Sequence, residues 1–83
     1  MNEILMQIVI NMIYFFANCS DEVVCEDNAV KMLEEISFFM KKLNSGEKEE
    51  FITFTKKIGD ELKEQDIEKA NFYYMIPENL GLK

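Results

Sequence analysis

Histidine, tryptophan and arginine are absent from these 83 residues, which also hold only one proline, three glycines and two cysteines. Each absence removes a chemistry. Without histidine the chain cannot by itself assemble a Ser-His-Asp or Cys-His nucleophile, a Glu-x-x-His di-iron pattern or an imidazole-bearing zinc site. Two thiols fall short of the four that an all-thiolate zinc site needs. The glycines stand apart at 46, 59 and 81, so there is no Gly-rich phosphate loop. All nine cations are lysines against 16 acids, a net charge of −7. That balance opposes nucleic acid, whose phosphates require clustered Lys or Arg. It favours a basic protein partner, because opposite fields speed encounter, although the same charge also serves solubility alone.

Long hydrophobic runs are scarce too. The longest, ILMQIVINMIYFFANC at residues 4–19, is shorter than the roughly 20 apolar residues a membrane span requires. Glu3, Gln7, Asn11, Tyr14 and Asn18 recur within it every three or four residues and form one polar stripe of a helix. Leu5, Ile8, Met12, Phe15, Phe16 and Cys19 take the rest. A signal peptide needs a positive leader, and the first lysine here is Lys31. Phe16-Ala17-Asn18-Cys19 is a poor lipoprotein cleavage box. The run is therefore expected to be a core helix of a cytoplasmic protein, covered on most sides and wet along its stripe. Cys19 and Cys25 are close enough in sequence for a local disulfide, but two free thiols, at least one packed as a small apolar group, suit a cytoplasmic chain better.

What is present is helical. Eighty-three residues make one domain, and seven Phe and six Met supply apolar volume for one core. The first helix is expected over 2–18. The second is marked by Ala29, Met32, Leu33, Ile36, Phe39, Met40 and Leu43, the three-and-four spacing of a packed face, with Asp27 as its N-cap. Asn44-Ser45-Gly46 breaks the chain. A third helix over 47–63 buries Phe51, Phe54, Ile58 and Leu62, with Gly59 a weakness of about 1 kcal/mol unless a neighbour packs on it. Gln65-Asp66 caps a fourth over 67–75. Pro77 disfavours helix at Ile76, which predicts an extended or turned tail over 76–82 that docks through Leu80 and Leu82. Together these give an all-α antiparallel bundle of about four helices.

No constellation for chemistry survives. Glu34/Glu35 and Asp60/Glu61/Glu64 are adjacent carboxylates, but a small helical chain offers no cleft to split their pKa values, so they read as solvated faces. The acids of 21–27 lack the ligand order of a calcium loop. Neither Asn44-Ser45-Gly46 nor Cys19-Ser20-Asp21 matches the Asp-Ser-Leu attachment site of acyl carrier proteins. The chain reads as non-catalytic, with no metal, cofactor or membrane partner. Two binding candidates remain: the acidic connection Asp21, Glu22, Glu26 and Asp27, and the aromatics Tyr73 and Tyr74 beside Phe72, Tyr being common at binding hot spots. Half-buried tyrosines that merely close the bundle end are the competing reading of the second.

In size, charge and a short late helix carrying Tyr73-Tyr74 shortly before Pro77, the chain resembles the small acidic helical immunity proteins of bacteria. Colicin-nuclease immunity proteins present a Tyr-Tyr-Pro motif on a short helix, with acids from the preceding helix. Here Met75 and Ile76 separate the tyrosines from the proline. The resemblance implies a protein that neutralises a basic toxin domain by occlusion, with Asp21, Glu22, Glu26 and Asp27 steering and Tyr73 and Tyr74 anchoring. Surplus apolar helix surface gives the other expectation, a structural or adaptor module that self-associates as a homodimer.

Overall fold

The computed structural model describes residues 2–20 and 22–82 and holds four helices: α1 Glu3–Asn18, α2 Glu26–Met40, α3 Ser45–Leu62 and α4 Ile67–Asn79. The expected small all-α bundle is what forms, with no strand among the described residues. Its extents of 36 × 33 × 21 Å make it two helices thick, since one helix with its side chains is about 10–12 Å across. A two-layer arrangement leaves every helix at least one open face.

Three helix starts are capped by side chains. Asn2 Oδ1 accepts from the Ile4 and Leu5 amides at 2.7 and 3.3 Å. Asn44 forms a capping box with Glu47, its Oδ1 accepting from Glu47 N at 2.8 Å while Glu47 Oε1 accepts from Asn44 N at 3.2 Å. Asp66 Oδ1 accepts from Lys69 N at 3.0 Å. At α2 the expected Asp27 cap is corrected: Cys25 is the N-cap, without a side-chain bond, and Glu26 and Asp27 lie in the first turn. There their charges meet the positive helix end.

The core joins Met6, Ile10 and Ile13 of α1, Met40 of α2, Phe51, Phe54 and Ile58 of α3, and Tyr73, Ile76 and Leu80 at α4. The pair α3 and α4 packs most intimately, α1 with α2 less so. Thr55, buried among them, gives its hydroxyl hydrogen to the Ile52 carbonyl at 2.8 Å. Among the described residues no buried side-chain polar atom lacks a partner.

Three expectations are corrected by this packing. The first concerns α1, which is not enclosed: it buries only Met6, Ile10 and Ile13, and its Leu5, Ile8, Met12 and Phe15 face outward. In a two-layer fold, a helix apolar on more than one side cannot bury them all. The second is Phe39, expected in the α2 seam but 56% exposed.

The third is the tail. α4 runs through Pro77 to Asn79. A proline inside a helix costs about 3 kcal/mol, but Ile76, Pro77 and Leu80 are all buried here, and each large apolar side chain contributes about 1.5–3 kcal/mol. Burial outweighs the local preference. Gly81 at φ 76° then closes the helix, with Gly81 N donating to Glu78 O at 3.0 Å and Leu82 N to Pro77 O at 2.9 Å, a Schellman ending. The docking expected of Leu80 and Leu82 is seen, since Leu80 is in the core and Leu82 packs against it.

Candidate functional site

The acidic connection between α1 and α2 is held by Ser20, whose carbonyl accepts from the amides of Val23 and Val24 at 3.0 and 3.1 Å. That turn pushes Val23 outward to 65% exposure. Glu22, Glu26 and Asp27 are exposed around it, whereas Asp21 lies outside the described residues.

From Glu26 the exposed surface continues down α2 in four-residue steps. Glu26, Val30, Glu34 and Phe38 are all exposed, and that spacing stacks them along one stripe. Val30 also follows Asp27 by three. Acid and large apolar side chain therefore alternate turn by turn, and Lys42 ends the stripe with its Nζ 4.4 Å from the Phe38 ring centre. Beside the stripe runs an open groove of about 470 Å³, lined by Val30, Leu33, Glu34, Ser37 and Phe38 of α2, by Lys41 at its end, and by Asn79 and Leu80. The Ser37 hydroxyl donates to the Leu80 carbonyl at 3.0 Å, which ties the groove floor to the end of α4.

The two tyrosines face elsewhere. Tyr73 is 3% exposed, packed with Tyr14 at 6.1 Å and Phe72 at 6.2 Å between ring centres. A side chain enclosed in the core cannot anchor a partner, so its expected contact role is corrected. Tyr74 is half-buried and packs against α3 at Gly59, where a β-carbon would come within 2.5–2.8 Å of the ring. Its hydroxyl donates to Asp60 Oδ1, which raises the Tyr74 pKa above its ordinary value of 10.0, with desolvation and the Asp60 charge adding to the shift. Gly59 is thus the seat of the Tyr74 ring, the packing neighbour that its place inside a helix demanded.

A second surface lies on α1. Ile4, Leu5, Ile8, Met12 and Phe15 are exposed and fall within about 100° of the helix circumference, at 100° per residue. The polar stripe flanks them and satisfies itself: Gln7 donates to Asn11 at 2.9 Å and Asn18 to the Tyr14 carbonyl at 2.9 Å. Glu3, the single charge of α1, meets Lys57 at 3.4 Å. A mostly apolar hollow of about 270 Å³ opens beside this face, lined by Val9 and Met12 of α1 and Met32, Glu35, Ile36, Phe39 and Met40 of α2.

The sequence pattern places Glu22, Glu26, Asp27 and Glu34 on the surface, Glu34 only as a solvated face and not as part of a site, and does not mark Val30 and Phe38 as exposed. The available signal was the 26–30–34–38 step itself, together with adjacent Phe38 and Phe39, which cannot both face one core. Both thiols are free, Cys19 half-buried and Cys25 exposed. Among the described residues no group of Cys, Asp and Glu side chains is placed to hold a metal, and no helix is long and apolar enough to cross a membrane. No family model, curated protein or solved structure matches this chain.

Proposed function

We propose that this chain is a non-catalytic binding protein that occludes a basic protein partner, in the manner of an immunity protein neutralising a toxin domain. The observation that supports this is the exposed stripe of α2, on which Glu26, Val30, Glu34 and Phe38 alternate acid and apolar side chains beside an open groove. Interfaces draw affinity from apolar anchors in pockets and specificity and encounter rate from the charges around them. Val23, Val30 and Phe38 supply the first; Glu22, Glu26, Asp27 and Glu34 supply the second. The partner that fits is cationic, with an apolar side chain to seat against Leu33 and Leu80. Tyr73 has no part in this contact.

The test is capture from the source cell with tagged protein at low and high salt, followed by association kinetics with the purified partner. Glu26→Gln/Asp27→Asn/Glu34→Gln is expected to slow association about tenfold or more at low salt, because steering depends on opposite charge. Phe38→Ala is expected to speed dissociation, since anchor losses appear in the off-rate. A partner whose binding ignores both variants, and ignores salt, contradicts the proposal.

A further inference from the structure

We propose that the outward face of α1 is covered by a second copy of this chain, the two α1 helices packing antiparallel as a two-fold pair. Three observations on that face carry the inference. The first is spacing. Leu5, Ile8, Met12 and Phe15 recur at three, four and three, the spacing of a helix–helix seam, yet all four are exposed while Met6, Ile10 and Ile13 serve the core of the same copy. The spacing reads the same from either end. An antiparallel pair therefore sets Leu5 opposite the second copy's Phe15, and Ile8 opposite its Met12, satisfying the self-complementarity a two-fold interface requires.

Charge is the second. The chain carries −7 overall, so two copies repel over most of their surface. α1 is the exception, with Glu3 as its one charged residue, already beside Lys57 at the margin. An uncharged apolar face offers nothing to steer a cationic partner, and lets two acidic copies meet with few like charges opposed, Glu35 lining the neighbouring hollow. An interfacial membrane helix would carry Lys or Arg on its polar face, and α1 has neither.

The third is area. Ile4, Leu5, Ile8, Met12, Phe15 and the neighbouring Phe39, each 40–71% exposed, present roughly 600 Å² per copy, so covering all of it removes about 1,200 Å² for the pair, the lower end of specific interfaces. The hollow between α1 and α2 lies beside the seam and receives side chains protruding from the second copy. This pairing leaves the α2 stripe open, so it stands apart from the basic partner proposed above.

Sedimentation across a concentration series tests it. The unmodified chain is expected to show twice its monomer mass at micromolar concentrations, with pairing slightly tighter as salt screens the mutual repulsion. Ile8→Glu is expected to weaken pairing at least about 100-fold with unchanged helical circular dichroism; Ile8→Gln replaces it if the charged variant does not fold. Ile67→Glu, at the exposed start of α4, is expected to leave the mass unchanged. In a Cys19→Ser/Cys25→Ser background, Ile8→Cys/Met12→Cys is expected to oxidise to a covalent dimer. A monomer at every concentration overturns the proposal, as does a dimer indifferent to Ile8→Glu, or binding to zwitterionic vesicles in place of self-association. Failure of the tagged chain to capture a basic partner, with the dimer intact, counts against the α2 reading alone.

Discussion

The pair α3–α4 and the pair α1–α2 use apolar side chains in opposite ways. In α3 the large apolar residues of one stripe, Phe51, Phe54 and Ile58, go inward and meet Tyr73, Ile76 and Leu80 from α4. In α1 and α2, Ile4, Leu5, Ile8, Met12, Phe15, Val30, Phe38 and Phe39 stay exposed, against only Ile67 and Met75 among the described residues of α3 and α4. Burial of such side chains is worth kilocalories each, so leaving eight outside forgoes stability that the other pair exploits. One half holds the fold together; the other half carries surplus apolar surface, and surplus of this kind is what interfaces are made from.

Truncating one phenylalanine in each half separates the two roles. Phe51→Ala is expected to cost about 3–5 kcal/mol, as a filled core site becomes a cavity. Phe39→Ala, measured at concentrations too low for self-association, is expected to cost under about 1 kcal/mol. Equal losses in urea titrations would dissolve the distinction.

A smaller effect tests how closely α3 and α4 meet. Gly59→Ala places a methyl within 2.5–2.8 Å of the Tyr74 ring and is expected to destabilise by about 1–3 kcal/mol, the range for overpacking. In a Tyr74→Ala background the same change is expected to stabilise by about 0.5–1 kcal/mol, because the helix propensity of Ala is then unopposed. The sign reversal in a double-mutant cycle identifies the contact. At the helix end, Gly81→Ala is expected to cost about 1 kcal/mol, since φ of 76° suits glycine.

The smallest effect is a pH dependence. The Tyr74 pKa is raised in the folded chain by the hydrogen bond to Asp60, so the folded state keeps its proton where the unfolded state has begun to lose it. The resulting stability is complete below the ordinary value of 10.0 and is lost as pH rises through the folded value. Tyr74→Phe is expected to flatten that loss in urea titrations above pH 10, and an unchanged profile would show that the bond contributes nothing.

Much of the fold was legible because local signals and packing agree along most of the chain. Asn44 and Glu47 spell a capping box that forms, and Phe51, Phe54 and Ile58 spell a stripe that is buried. The failures occur where a residue's chemistry admits two neighbours. α1 is apolar on two sides, so periodicity identifies a helix but not which side meets the core. Pro77 signals an end locally, yet the burial of Ile76 and Leu80, set by distant residues, carries the helix past it. Tyr73 and Tyr74 are indistinguishable in sequence; a rotation of about 100° sends one into the core and the other onto Gly59. The acids at Glu22, Glu26, Asp27 and Glu34 were readable as surface, but the stripe that begins there emerges only when Val30 and Phe38 are seen to be exposed.

What covers α1 is read out by an isotope-filtered NOE experiment on a mixture of labelled and unlabelled chains. Cross-peaks between the Ile8 methyls of one copy and the Met12 methyl of the other are the predicted result. Their absence, with α1 methyl shifts unchanged across concentration, would contradict it and leave that face bare.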